Sequence, residues 1–332
     1  MKVGVYLNTT TGGADYHKQI WVKAFAEGIN SVTPGLAEVL ERHTISFDYD
    51  YSFCFSYQGE VFRPTNKMSL LRRALQEKHL EDGKIFFMDS DVLISYQKKH
   101  LSGGQSKKEE TEQGLRYVRI PYGHVHHPRA KHFYKDNWQQ RWGSIKDNKN
   151  ITVKDYENID GPILLVCNRG KEGYGGGGKP AHDWARETIE ELSKYTERKF
   201  IVRFHKANAN DKYQSMGKLI EWSRNDSKFN TGRIEIHNPG RTYPDLIESI
   251  RSSYAVITFA SSAAAPAIIE GRHLFVTSPT CFFYEDRSGE LSDIENPKKI
   301  NRDNFFKRYS HSHWNLLDLR GGDFWRHVKD EI

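Results

Sequence analysis

The sequence has only three cysteines, and they lie far apart, at Cys54, Cys167 and Cys281. Three scattered cysteines cannot build a disulfide framework, and they lack the spacing of a structural zinc site. We therefore expect the protein to work in a reducing compartment, the cytoplasm.

Long hydrophobic runs are also missing. No apolar stretch approaches the roughly 20 residues that a membrane-spanning helix needs, and residues 1–7 do not have the pattern of a signal peptide. We expect no membrane partner.

Two glycine signatures of nucleotide-binding proteins are absent. The first strand is not followed by a full G-x-G-x-x-G, so a dinucleotide cofactor is not indicated. No G-x-x-x-x-G-K-[ST] occurs either, which argues against a P-loop NTPase. We expect no permanently bound cofactor.

What is present suffices for a large core. The 332 residues are 37% hydrophobic and 13% aromatic, enough for two medium-sized domains. Lys and Arg number 49 against 43 Asp and Glu, a formal net charge of +6. This excess permits a polyanionic partner without demanding one. The 17 Tyr and 7 Trp are residues that stack on sugars or bases.

Short apolar runs rich in β-branched and aromatic residues recur along both halves of the chain, with helical patterns between them. Each half opens with a strand and a glycine-rich turn, at 8–13 and at 167–178. This order predicts an α/β protein of two Rossmann-like domains facing a cleft. We expect domains at 1–150 and 160–300, a linker within 147–160, and one or two helices at 301–332 packing back on the first domain.

The stretch 254–277 organises the second half. Residues 254–259 predict a buried strand, Ser261 and Ser262 suit a helix N-cap, and the helix that follows tolerates Pro266 only in its first turn. A helix N-terminus with hydroxyls offers an anion site, although the same pattern fits an ordinary capped βαβ unit.

Two further features of the second half are of the anion-binding type. Arg169 and Gly170 belong to the glycine-dense turn, and Arg203, His205 and Lys206 follow a predicted strand. Each alone can be a solvated loop. Together with Ser261 and Ser262, at one edge of a sheet, they can hold a diphosphate through N–H groups, hydroxyls and fixed cations.

The first half places Asp89 and Asp91 at the end of the strand predicted for 84–88. A D-x-D pair can bind a divalent metal, one carboxylate can act as a general base, and the pair can equally form a turn. A metal is therefore possible but not required.

Three polar segments of the first half complete the pattern. Residues 101–114 predict a mobile solvated loop or lid, and 121–132 a histidine-rich loop. Residues 137–142 interleave basic and aromatic side chains.

Several short motifs resemble those of glycosyltransferases of the two-Rossmann (GT-B) type, and more narrowly a glycosyltransferase family common in phage genomes. They are Phe87-Met88-Asp89, Arg203-Phe204-His205-Lys206, the 260–264 serine turn, the 266–273 helix, and His313-Trp314 with Gly322 and Trp325.

This chain departs from the family pattern at two positions, one of which is His273, where the family has a proline. The helix glutamate that contacts the donor ribose in many two-Rossmann transferases is Pro266 here, and Glu270, one turn further on, is the residue that could substitute for it.

The resemblance implies an inverting-type transfer of a sugar from a nucleoside-diphosphate donor, a UDP-sugar, to a hydroxyl group. Some phage enzymes of this kind modify 5-hydroxymethylcytosine, so double-stranded DNA is the expected acceptor, in the host cytoplasm, and we expect a monomer. Asp89 is the expected general base. Asp91 would orient the acceptor or a metal ion. Arg169, Arg203, His205 and the serines would stabilise the departing diphosphate.

Three other functions stay open at this point. A transferase for surface or capsular polysaccharide would also use aromatic residues. A non-catalytic DNA-binding phage protein would need no working Asp89, and a nucleotide-sugar epimerase of the same fold would need no acceptor.

Overall fold

A computed structural model of the chain describes residues 1–7, 16–41, 46, 48–55, 78, 82, 84–90, 93, 96, 107–120, 134–168, 171–172, 178–205, 214–237, 245–279 and 281–331. The chain divides into two compact units. Unit 1 comprises Met1–Ile151 and Phe306–Ile332, and unit 2 comprises Thr152–Phe305.

The strands, in chain order, are β1 (Val3–Tyr6), β2 (Ala37–Leu40), β3 (Tyr51–Phe55), β4 (Ile85–Ser90), β5 (Tyr117–Arg119), β6 (Ile163–Val166), β7 (Lys171–Glu172), β8 (Lys179–Pro180), β9 (Phe200–Arg203), β10 (Ile234–His237), β11 (Ala255–Thr258), β12 (His273–Val276) and β13 (His313–Asn315).

The helices are α1 (Tyr16–Val32), α2 (Lys107–Glu112), α3 (Trp138–Lys149), α4 (Ala181–Leu192), α5 (Ser215–Asn225), α6 (Leu246–Arg251), α7 (Ala264–Ile269), α8 (Arg302–Ser312), α9 (Leu316–Arg320) and α10 (Asp323–Val328). Over the part of the chain that the structure describes, none of them is long and apolar enough to cross a membrane.

Each unit is built on a mainly parallel sheet, and this confirms the prediction of two Rossmann-like α/β domains. In unit 1 the strand order is β13-β5-β4-β3-β1-β2, with β1 to β4 parallel and β5 antiparallel to both of its neighbours. In unit 2 the order is β10-β9-β6-β11-β12, and all five strands are parallel. β7 and β8 form a separate small hairpin.

The core of unit 1 is a layer of aromatic rings between α1 and the sheet. Phe25 of α1 lies 3.9 Å from Phe53 of β3, and Phe53 stacks at 4.5 Å on Phe86 of β4. Phe324 of α10 closes the cluster at 5.1 Å from Phe25. Since each ring buries a large apolar area, this layer contributes much of the hydrophobic stabilisation of the unit.

The C-terminal segment contains more than the one or two helices predicted for it. Its strand β13 pairs antiparallel with β5, with Trp314 opposite Val118, and three helices flank that strand. The sequence pattern hid the strand because it is only three residues long and lies between helical patterns.

Two other predictions about the first half need correction. The loop or lid predicted at 101–114 contains helix α2, and the linker predicted at 147–160 begins inside α3, which ends at Lys149. Charged residues with good helix propensity form α2 without an apolar stripe, so no periodicity indicated it. The glycine turn at 8–13 and the loop at 121–132 lie outside the described residues.

Helix α1 contacts the C-terminal segment at a position where only glycine fits. A Cβ atom built on Gly28 would lie 1.8 Å from the backbone carbonyl oxygen of Leu319 in α9. A backbone oxygen cannot rotate away as a side chain can, so any larger residue must push the two helices apart.

We predict that Gly28→Ala lowers the free energy of unfolding by about 1–3 kcal/mol or more, the usual cost of overpacking. Gly143→Ala in α3 is the matched control, because a Cβ there meets nothing within 4 Å. That change should be neutral or stabilising by roughly 0.5–1 kcal/mol, since alanine favours helix over glycine. Chemical denaturation of the two variants makes the comparison, and equal stabilities would contradict the packing account.

A second cluster in unit 1 joins buried histidines to aromatic rings. The His311 ring stacks at 4.7 Å on His327, and its Nε2 lies 3.0 Å from the Lys135 carbonyl oxygen, to which it donates. The His313 ring stacks at 3.7 Å on Tyr309. Burial lowers the pKa of His311 to about 4, so this ring is neutral in the folded protein at pH 7.

The low pKa of His311 predicts acid sensitivity. The unfolded chain binds a proton near pH 6.5 and the folded chain only near pH 4, so stability is lost as pH falls through this window. The slope from this group should approach about 1.4 kcal/mol per pH unit. Denaturation of wild type and His311→Gln between pH 7 and pH 4 measures it. The variant should show a shallower slope, and identical slopes would remove His311 as the cause.

Candidate functional site

The five parallel strands of unit 2 bring their carboxyl ends to one edge of the sheet. From the central strand β6 the chain goes first to β9 and β10 on one side, and then to β11 and β12 on the other. Open α/β sheets bind ligands where the strand order reverses in this way, outside the carboxyl ends of the two strands. The candidate site of unit 2 therefore lies beyond the ends of β6 and β11, and we call this place the switch point.

A threonine hydroxyl connects these two strand ends. Thr258, the last residue of β11, is fully buried, and its Oγ1 donates to the carbonyl oxygen of Val166, the last residue of β6, at 3.1 Å. The same Oγ1 accepts from the backbone N–H of Ser261 at 2.9 Å. One hydroxyl thus fixes the turn after β11 against the end of β6.

The turn held in this way contains both predicted serines. Ser261 is half-buried and Ser262 is exposed. Ser261 Oγ accepts from the N–H of Ala263 at 3.3 Å, while the Ser261 and Ser262 carbonyl oxygens accept from Ala264 and Ala265. These two serines therefore present polar groups directly beside the switch point.

The prediction that a serine caps α7 was wrong. The N-cap is Ala263, without a side-chain cap bond, because a turn that begins at Ser261 precedes the helix. Pro266 does fall in the first turn of α7, as the sequence required.

Arg203 ends β9, next to β6, and so lies at the same sheet edge. Its side chain is buried, and Nη1 lies 3.3 Å from Ser249 Oγ of α6, to which it donates. His205, two residues later, is exposed. The structure therefore brings Arg203 and His205 to the edge that carries the serine turn, with Arg203 packed into the protein and His205 open to solvent.

Four other predicted site residues lie outside the described residues. They are Asp91, Arg169, Gly170 and Lys206.

Glu270 lies far from the switch point. It follows the last residue of α7, so the length of the helix carries it towards the amino end of β12, the opposite edge of the sheet. Its carboxylate is buried and accepts from Arg251 Nε at 2.7 Å and from Arg251 Nη2 at 3.2 Å. The structure thus gives Glu270 an ion pair with α6, where the sequence predicted a contact with the donor ribose.

Asp89 lies inside β4 and not just beyond it. It is the fifth residue of that strand and pairs in backbone register with Arg119 of β5. The parallel pairing of β4 with β3 ends one residue earlier, at Met88. Asp89 therefore stands where the parallel part of the unit 1 sheet ends at its carboxyl edge.

Within the segment 137–142 the two tryptophans and the arginine pack against the C-terminal part of unit 1. Trp142 is buried and stacks at 4.4 Å on Phe306, and Trp138 stacks on the same ring at 6.3 Å. The Arg141 guanidinium lies 3.6 Å over Trp314 and donates to the Ser310 and His313 carbonyl oxygens, both at 2.7 Å. These side chains hold α3 against the C-terminal segment, and Trp142 cannot stack on a base.

Two hydrogen-bonding side chains near this sheet edge, Thr258 and Trp184, have the sequence pattern of ordinary core residues. Thr258 lies within a run that predicts only a buried strand. Trp184 of α4 donates from Nε1 to Thr277 Oγ1, just after β12, at 2.9 Å. A threonine as the last residue of a strand, directly before a serine turn, is the signal that could have identified Thr258.

Across the ranges described above, no group of three or more His, Cys, Asp or Glu side chains is arranged to hold an ion.

No protein-family model matches the chain, and no curated protein sequence matches it. Among solved structures it is similar to the KpsC β-Kdo 2,7-transferase of Thermosulfurimonas dismutans, at 10% identity and a TM-score of 0.46, over 100% of both chains. It is also similar to the UDP-GlcNAc 2-epimerase of Methanocaldococcus jannaschii in complex with UDP-GlcNAc and UDP. That comparison has 11% identity and a TM-score of 0.32, and covers 99% of this chain and 100% of the other.

A third similar structure is the wall teichoic acid polymerase TagF, at 12% identity and a TM-score of 0.26, covering 100% of this chain and 90% of the other. At these identities and TM-scores the likeness assigns neither an activity nor a substrate to this chain.

The position of Glu270 predicts a structural role for it. Glu270→Gln replaces a buried carboxylate by a neutral amide and weakens its two hydrogen bonds from Arg251, whose side chain is 55% exposed. The change should lower the free energy of unfolding by about 1 kcal/mol and should not affect the affinity for any nucleotide. Glu221→Gln, an exposed change in α5, should alter neither quantity. Thermal denaturation and nucleotide titration test both variants. A folded Glu270→Gln that has lost nucleotide affinity would return Glu270 to the site.

Proposed function

We propose that this protein is a glycosyltransferase that takes a sugar from a nucleoside-diphosphate donor, a UDP-sugar, and transfers it to a hydroxyl group. The observation that carries this proposal is the reversal of strand order between β6 and β11, with a serine turn fixed at the reversal. The sequence resemblance to two-Rossmann glycosyltransferases supports the reaction type.

The chemistry requires positive and hydrogen-bonding groups around the leaving diphosphate. Negative charge grows on its oxygens as the bond to the sugar breaks, and groups already fixed in place stabilise that charge most effectively. The Ser261 and Ser262 hydroxyls and the exposed His205 stand at the sheet edge. Arg169, Gly170 and Lys206 follow strands that end there, so the proposal adds them to the diphosphate site.

We propose that Arg203 acts on the diphosphate from inside the protein and not as a surface cation. Its side chain is buried beside Ser249, so it supplies fixed positive charge behind the sheet edge. Charge held by the protein in a region of low dielectric acts on a nearby anion more strongly than the same charge in water.

The acceptor hydroxyl needs a base. We infer that Asp89 removes its proton, since a carboxylate at a strand end is suited to that role. Asp91 would orient the acceptor. No step of this proposal depends on a metal ion.

The resemblance favours 5-hydroxymethylcytosine in double-stranded phage DNA as the acceptor. An enzyme acting on a base hydroxyl in a duplex turns the nucleotide out of the stack, with cations on the phosphates. The net charge of +6 fits such a partner.

A glycan hydroxyl is the second candidate acceptor, and one observation favours it. In the segment 137–142, which suggested contacts with DNA, Trp142 stacks on Phe306 and Arg141 lies over the Trp314 ring. The side chains that pack inside unit 1 therefore no longer support a nucleic-acid acceptor, and the net charge is the feature that still does.

A transfer assay tests the proposal directly. The protein is incubated with UDP-, CDP- and GDP-sugars and with either hydroxymethylated duplex DNA or a capsular-type oligosaccharide, and products are identified by mass spectrometry. Modified nucleosides would establish DNA as the acceptor, and extended oligosaccharide would establish a glycan. Nucleotide-sugar turnover without any acceptor would indicate an epimerase, and nucleic-acid binding without turnover a DNA-binding protein.

We predict that Asp89→Asn slows single-turnover transfer by roughly a hundredfold to ten-thousandfold, the usual contribution of a positioned base. Donor affinity should stay near the wild-type value, so the loss should appear in kcat and not in binding. Asp82→Asn, at an exposed position shortly before β4, is the matched control. An Asp89→Asn enzyme that transfers at the wild-type rate would remove this residue from the mechanism.

A further inference from the structure

We propose that Thr258 is a positioning residue for the donor, one that sets the serine turn against β6 without touching the ligand. The inference rests on the function proposed above, because it concerns the same nucleotide site. It assigns to a buried hydroxyl the task of keeping the diphosphate-binding turn at the switch point.

The Thr258 hydroxyl both donates and accepts a hydrogen bond, and both partners lie at the candidate site. A threonine hydroxyl has one proton to donate and lone pairs to accept. At Thr258 the proton goes to the Val166 carbonyl oxygen at 3.1 Å, and a lone pair takes the Ser261 N–H at 2.9 Å. The side chain thus ties the end of one flanking strand to the turn that follows the other.

Backbone hydrogen bonds extend this connection across four strand ends. The Cys167 N–H donates to the Arg203 carbonyl oxygen at 3.0 Å, joining β6 to β9. On the other side the Thr277 N–H donates to the Thr258 carbonyl oxygen at 3.0 Å, joining β11 to β12. Thr258 stands in the middle of this series, where its side chain supplies the step between β6 and the serine turn.

The residue type suits a positioning role. Thr258 is fully buried, so its hydroxyl cannot be a ligand for a solvated diphosphate. Its β-branched side chain restricts χ1, which holds the hydroxyl in one direction. Valine has nearly the same shape but removes both hydrogen bonds, and serine keeps the hydroxyl while losing only the methyl group.

We expect Thr258→Val to raise the Kd for UDP about tenfold, because the turn is no longer held at the strand end. The KM for the donor should rise with it, and kcat should change much less, since the reacting groups are intact. Thr258→Ser should restore most of the affinity. Thr188→Val in α4 replaces another buried threonine of unit 2 and should leave UDP binding unchanged, so it controls for a general loss of packing.

Titration calorimetry of UDP against the wild-type protein and these three variants is the test, with amide hydrogen exchange of residues 259–263 as a second readout. Weaker binding and faster exchange in Thr258→Val alone would support the role. Should Thr258→Val not fold, Thr258→Ala compared with Thr258→Ser gives the same contrast, since only the serine keeps the hydroxyl.

Two outcomes would overturn the inference. Only the second of them would also overturn the proposed function. If the wild type binds UDP and Thr258→Val binds it equally well, the positioning role is wrong while the nucleotide site stands. If the wild type binds no UDP, CDP or GDP at all, the proposed function fails and this inference fails with it.

Discussion

The parallel pairing of β6 with both β9 and β11 is the constraint on which unit 2 depends. A central strand of a parallel sheet has both edges occupied, so the chain must extend the sheet first on one side and then on the other. Open α/β sheets bind ligands outside the strand ends where the order reverses, and every residue that we propose for the donor is at or after such an end along the chain. The position of the candidate site therefore follows from strand order, and the side chains there would determine which ligand binds.

Much of this architecture could be predicted from the amino-acid sequence. Runs such as 162–166 and 254–259 are continuous and apolar because buried parallel strands face helices on both sides, and that pattern is unmistakable. The same reasoning failed for β13, which is three residues long, and for α2, which is almost wholly charged. Periodicity needs both length and an apolar face, and these two elements lack one or the other.

Some features of the candidate site could likewise be predicted from the sequence, and others could not. Arg203 could be placed at the sheet edge because its strand was evident, but its burial beside Ser249 could not be predicted, since Ser249 is 46 residues away along the chain. The ion pair of Glu270 with Arg251 could not be predicted either, since the two residues are 19 positions apart along the chain.

Unit 1 is discontinuous along the chain, and this affects when it can form. Its sheet includes the pairing of Trp314 with Val118, and between the two segments of the unit lie the 154 residues of unit 2, 152–305. At roughly 5–20 residues per second, a ribosome needs about 10–30 s to make that insertion. During this interval β5 has no partner at the edge where β13 later pairs, and Trp314 is absent from the core of unit 1. Unit 2, which is contiguous, has its whole sheet before unit 1 receives its last strand.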